Sequence, residues 1–75
     1  MAHVNIGAVV RDARKAAGLR QDELAASAGV GLRFVVELER GKPTARLDKI
    51  LQVLTALGLR MAVLPPHSDL GGTLS

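Results

Sequence analysis

Two short helix-patterned segments, QDELAASA (residues 21–28) and LRFVVELER (residues 32–40), are separated only by Gly29-Val30-Gly31. Nothing else in the chain restricts its fold so strongly. Gly29 can take the left-handed conformation that reverses a chain within one residue. The second segment must then cross close to the first. Ala25, small and in the middle of the first segment, leaves room for that crossing. Leu24, Ala25 and Ala28 turn inward on one side. Val30, Val35 and Leu38 plug the space from the other, with Phe34 at its edge. Asp22 and Glu23 occupy the first turn of QDELAASA, where negative charge suits the positive end of a helix dipole.

Further helices flank this pair. Ile6, Val9, Val10, Ala13 and Ala17 share one stripe, which Asn5 can cap and Gly18 can end. Arg11, Asp12 and Lys15 take the other side. Beyond Gly41-Lys42-Pro43, Thr44 can cap a fourth helix, whose inward stripe is expected to be Leu47, Ile50, Leu51, Leu54 and Leu57, closed by Gly58. The pattern then changes. In GLRMAVLPP, residues 58–66, Leu59, Met61 and Val63 alternate with Arg60, Ala62 and Leu64, which is the period of a strand. A lone strand cannot satisfy its own backbone. The expected solution is an antiparallel pairing with the same strand of a second chain. Pro65 and Pro66, lacking N–H donors, would end that ladder. Leu59, Met61 and Val63 would form its packed face, and an outward Val53 on the fourth helix would add to the dimer interface. The tail HSDLGGTLS is expected to be disordered. The division is thus a helical domain at 1–58, a dimerisation strand at 59–64 and a tail at 65–75.

Composition narrows the chemistry. Seventy-five residues make one small domain, and with Phe34 as the single aromatic its core must be aliphatic. A domain this size is marginally stable alone, which also favours oligomerisation. The absence of cysteine excludes disulfides and thiolate metal sites and fits a reducing compartment. His3 and His67 lie near opposite ends and form no ligand cluster, so neither a metal nor a cofactor is implied. No nucleophile stands beside a base, and no enzyme is expected. The net charge of +3 and a pI near 10.2 favour a polyanionic partner. No apolar run approaches the roughly 20 residues of a membrane helix, and no charged start precedes an apolar signal core. The expectation is a cytoplasmic protein with no membrane role.

Two short helices joined by a tight glycine turn are a helix-turn-helix candidate. With Phe34, Val35 and Leu38 inward, the third helix shows Leu32, Arg33, Val36, Glu37 and Arg40 outward. In a helix-turn-helix this face enters the major groove of double-stranded DNA. Arg33 can reach guanine O6 and N7. Glu37 can accept from a cytosine amine, or orient Arg33 four residues away. For the apolar Leu32 and Val36 a thymine methyl is one explanation; a chance exposed apolar residue and a protein contact are the others. Gln21 opens the second helix, where an anion is favoured. Together with Arg20, Arg40, Lys42, Arg46 and Lys49 it is a candidate for phosphate contact.

AGLRQDELAASAGVGLRFVVELERGKPT is similar to the Xre/Cro family of phage-repressor-like helix-turn-helix proteins. Those proteins have a GLTQEELA-like segment, a Gly-Val turn and a helix ending in Ile/Leu-Glu-x-Gly. The likeness runs from about Ile6 to Leu59. It implies an all-α, lambda-repressor-like four-helix domain in which Arg14 and Glu39 form a buried ion pair bracing helix one to helix three. From the residues alone Glu39 reads as a surface charge. There are departures. Arg20 stands where the family prefers a Thr cap, and Gly31 and Val36 stand where Ser is common. Val36 removes a hydroxyl that could touch phosphate.

More narrowly, GVGLRFVVELERGKPTARLDKILQVLTALGLRMAVLPP resembles the HipB-like antitoxins. There such a core is followed by a strand that pairs across a homodimer. This resemblance implies a repressor that binds its own operator and also binds a HipA-like kinase toxin; the two-fold dimer makes that operator a near-palindrome. Two other readings stay open. One is a stand-alone phage-type regulator without a toxin. The other is a protein-binding adaptor that reuses the helix-turn-helix, for which exposed Leu32 and Val36 speak.

Overall fold

The computed structural model describes residues 5–43 and 46–62. Among these the chain is all-α, with four helices: α1 Ile6–Ala16, α2 Gln21–Ala28, α3 Leu32–Glu39 and α4 Leu47–Ala56. Helix α1 starts at Asn5, whose side-chain oxygen accepts from the Ala8 N–H at 3.1 Å. At α2 the capping residue is Arg20, which has no acceptor to offer. Instead the Glu23 carboxylate reaches back and accepts from the Arg20 N–H at 2.8 Å, the reverse half of a capping box. Thr44, the expected cap of α4, lies outside the described residues. Arg46 occupies that capping position.

All four helices stop in the same way. A left-handed glycine donates to the carbonyl three residues back, and the next residue donates to the carbonyl five residues back. At the end of α3, Gly41 (φ 86°) donates to Leu38 at 3.0 Å and Lys42 donates to Glu37 at 3.1 Å. At the end of α2, Gly29 (φ 74°) donates to Ala26 and Val30 to Ala25. The motif folds the residue after each glycine back over the last turn. Val30 therefore lands beside Ala25, and Leu59 beside Leu54.

The core is Val10, Leu24, Ala25, Ala28, Val35, Leu38, Ile50, Val53 and Leu54, with Ile6, Val30, Phe34, Ala56, Leu57 and Leu59 packed against it. Helix α2 sits centrally against α3 and α4, while α1 packs on α3. Two expectations for α4 need correction. The buried face is Ile50, Val53 and Leu54, while Leu47 and Leu51 are exposed. At 100° per residue, positions 50, 53, 54 and 57 centre on one direction, and α2 sets it; 47 and 51 fall off its edge. Val53 consequently does not face outward as a dimer contact. Its exposure is 0%, inside the core of its own chain. In α1, Val10 is fully buried whereas Val9, and Ala17 at the C-cap, are exposed.

Sequence reasoning passed over Gly7, which is buried in the first turn of α1. A Cβ there would overlap the carbonyl oxygen of Leu38 and crowd the backbone of Glu39. This glycine sets how closely α1 approaches the end of α3.

Residues 59–62 form no strand. A strand is defined by its ladder, and the described residues contain no second strand. Val63, Leu64, Pro65 and the tail lie outside the described residues. None of the described helices is long and apolar enough to cross a membrane.

Candidate nucleic-acid interface

Helix α3 is offered to solvent by the turn that precedes it. Gly29 reverses the chain, Val30 anchors the turn against α2, and Gly31 opens α3 in an extended conformation. Val35 and Leu38 are buried and Phe34 is half-buried against the core. The helix thereby turns Leu32, Arg33, Val36 and Glu37 away from α2. Leu32 is 48% exposed, a large apolar side chain in water, and the Arg33 side chain is 89% exposed. Val36 is half-buried rather than fully solvated. One α3 face thus carries all four residues expected to meet bases.

The cations of this face are tied to carboxylates. Arg33 Nε donates to Glu37 Oε2 at 3.3 Å, and Lys42 Nζ donates to the same oxygen at 3.2 Å. Hydrogen bonds from Lys42 first, then Arg33, hold the Glu37 carboxyl below its ordinary pKa. Arg20 pairs with Asp22 at 3.1 Å and Arg46 with Asp48 at 3.2 Å. These local pairs raise both guanidinium pKa values, chiefly through the hydrogen bonds. The Gln21 amide donates to Glu39 Oε1 at 3.2 Å. Arg40 is exposed beyond the end of α3. Lys49 rests its ammonium over the Phe34 ring, 5.8 Å from the centroid, joining α4 to the edge of α3. The sequence placed Lys49 among the basic candidates but carried no signal for this stacking.

Beneath the face lies one ion pair. Arg14 grips Glu39 with two parallel hydrogen bonds, Nε to Oε2 at 2.7 Å and Nη2 to Oε1 at 2.9 Å. Its third donor, Nη1, reaches the Leu19 carbonyl at 2.9 Å. The two side chains are only 11% and 4% exposed. Burial pushes the Glu39 carboxyl up. Hydrogen bonds from Arg14 and Gln21, and the charges of Arg14 and Arg11, outweigh it and leave the group below its ordinary pKa. The brace fixes the end of α3 to α1 and to the start of α2, so the exposed α3 face has a set orientation.

A helix-turn-helix family model matches residues 10–64 of the chain, from mid-α1 through the segment after α4. The chain belongs to the Xre-like helix-turn-helix family. It is also 61% identical, over 62 residues, to the uncharacterized HTH-type transcriptional regulator y4mF of Sinorhizobium fredii. That alignment covers 83% of this chain and 82% of the relative. In this Xre-like domain α2 and α3 are the helix-turn-helix, and α3 occupies the position of the recognition helix. The DNA-contact candidates Leu32, Arg33, Val36, Glu37, Arg20, Gln21, Arg40, Lys42 and Arg46 fall on or beside this pair of helices, except Arg46 at the start of α4.

Proposed function

We propose that this chain is a homodimeric, DNA-binding transcriptional repressor that serves as the antitoxin of a HipA/HipB-like module, autoregulating its operon and binding a kinase toxin. Membership of the helix-turn-helix family supports DNA-binding transcription regulation. The observation that carries the reading is the solvated α3 face with Arg33 extended from it, rigidly braced by Arg14 and Glu39. On this reading Arg33 reads a guanine edge, Leu32 and Val36 meet thymine methyls, and Lys42, Arg20, Gln21, Arg40 and Arg46 position the phosphates.

Binding tests the division of labour. Arg33→Ala should lower affinity for the upstream segment of its own gene by roughly ten- to a hundredfold and relax preference at one base position. Lys42→Ala should weaken binding to the upstream segment without changing which bases are preferred, and flatten the salt slope there by about one. Fluorescence anisotropy on a base-substitution panel checks both. An equal loss on specific and random DNA for Arg33→Ala refutes base readout.

The dimer rests on the segment C-terminal to α4. Leu59 folds back against Leu54 and the core, while Met61 remains exposed beside an apolar groove of about 340 Å³ that includes Ile6 and Val9. Pairing residues 59–64 with those of a second copy would satisfy their backbone groups and cover that groove. Two recognition helices would then be held at a fixed separation. The operator should be a near-palindrome with half-sites about 10 base pairs apart, or a multiple of that. Met61→Pro removes a ladder donor and should convert a sedimenting dimer into a monomer with loss of tight operator binding. A wild type that sediments as a monomer at micromolar concentration, or a Pro variant that stays dimeric, refutes the strand seam. The toxin assignment is supported by likeness to the HipB-like antitoxins, and co-purification with the product of the adjacent gene tests it.

A further inference from the structure

Glu37 is the one carboxylate among the described residues that receives two cations from the DNA-facing side, and both arrive on the same oxygen. Their approach is built into the backbone. Arg33 lies four residues earlier on α3, one turn away. Lys42 is brought over that turn by the stop at Gly41, where its own N–H donates to the Glu37 carbonyl. In the ends of α2 and α4 the equivalent contact is apolar, Val30 on Ala25 and Leu59 on Leu54. At the end of α3 it is an ion pair. Exposure is unequal: the Glu37 side chain is 31% exposed, against 89% for Arg33 and 60% for Lys42. The carboxylate is the held partner and the cations are the movable ones.

We infer that Glu37 is a selectivity residue, whose carboxylate withholds Arg33 and Lys42 from the phosphates of arbitrary DNA and yields them only to a site that offers Arg33 a base edge. This deepens the reading of α3 as the recognition helix and rests on it. On random duplex each cation would exchange one anion for another, a phosphate for the Glu37 carboxylate, with little gain. On a matching site Arg33 adds two hydrogen bonds to guanine, which the carboxylate contact through a single nitrogen does not equal. Glu37 also places a negative charge against the duplex wherever the match is poor. Asp22 and Asp48 each pair with one arginine two residues earlier, at the starts of α2 and α4 rather than on α3.

The test is Glu37→Gln, close in shape but uncharged, titrated by fluorescence anisotropy in a salt series. The probes are a random-sequence duplex and the segment upstream of the gene. Each additional phosphate charge neutralised multiplies affinity by roughly tenfold near 0.1 M salt. The variant should therefore bind random duplex about tenfold more tightly, with a salt slope steeper by about one. Its preference for the upstream segment should shrink by a similar factor. Adding Lys42→Ala to Glu37→Gln should return the slope to the wild-type value, which a merely structural role for Glu37 would not produce. Unchanged affinity and slope on random duplex, with wild-type preference intact, overturn the inference alone. A loss confined to the upstream segment also overturns it, and makes Glu37 a direct reader of cytosine. A wild-type protein with no preference between the two duplexes removes the recognition-helix reading itself, and this inference with it.

Discussion

Glu39→Ala should destabilise the fold by about 3–5 kcal/mol, because it leaves the Arg14 guanidinium buried without its counter-charge. Arg14→Ala should cost a similar amount, by removing the guanidinium from a Glu39 carboxylate that is only 4% exposed in the intact pair. The double variant should lose far less than the sum of the two, since each single change already breaks the same contact. Thermal melts of both singles and the double decide the matter. Melting at the wild-type temperature in Glu39→Ala would return Glu39 to the surface charge that its position in the sequence suggests. The pair also has a pH signature. The folded-state pKa of Glu39 lies below its unfolded value, so its contribution is complete above the ordinary glutamate pKa, about 4.3. It is lost as the pH falls below that value and through the lower folded one. Acid melts of Glu39→Gln, compared with wild type, should lack that part of the decline.

The second large effect is expected at Gly7. In an open helix, alanine in place of glycine would help by up to about 1 kcal/mol. Here a Cβ would overlap the Leu38 carbonyl oxygen, an atom of α3 backbone that cannot rotate away. Gly7→Ala should instead cost about 3 kcal/mol, at the upper end of overpacking penalties, and Gly7→Val more. Urea unfolding measures it. Because the overlap falls where Arg14 holds Glu39, the variant should also weaken DNA binding more than its stability loss explains at temperatures where it remains folded. A Gly7→Ala protein as stable as wild type would mean that α1 can back away from α3 without penalty.

What the sequence revealed and what it hid divide along a physical line. Helix ends were legible because a left-handed glycine is a local requirement: Gly18, Gly29, Gly41 and Gly58 each announce a stop without reference to the rest of the fold. The outward face of α3 was legible because Val35 and Leu38 leave little choice about which side is buried. Features that depend on how helices cross were not. Gly7 looks like a weak helix former until α3 is laid across it, although a glycine inside a helical pattern is a signal worth weighing. Val53 reads as outward because α4 has two overlapping apolar stripes, and only the position of α2 chooses between them. Arg14 and Glu39 lie 25 residues apart, and family resemblance rather than spacing suggested their pairing. Lys42 on Glu37 arises from the geometry of the α3 stop, which a helical projection does not include.

The Arg14 guanidinium has a consequence for motion. It binds a carboxylate at the end of α3 and a carbonyl at the approach to α2, while Gln21 at the start of α2 touches the same carboxylate. Peeling away any one of these segments would strand a charge that the other two share. Partial opening of the half built from α1, α2 and α3 is therefore expected to be nearly as costly as unfolding it. Native-state hydrogen exchange should find the inner amides of α1, α2 and α3 opening together, as one cooperative unit at close to the global free energy. Amides at the outer end of α4, remote from that anchor, should exchange by smaller and independent fluctuations.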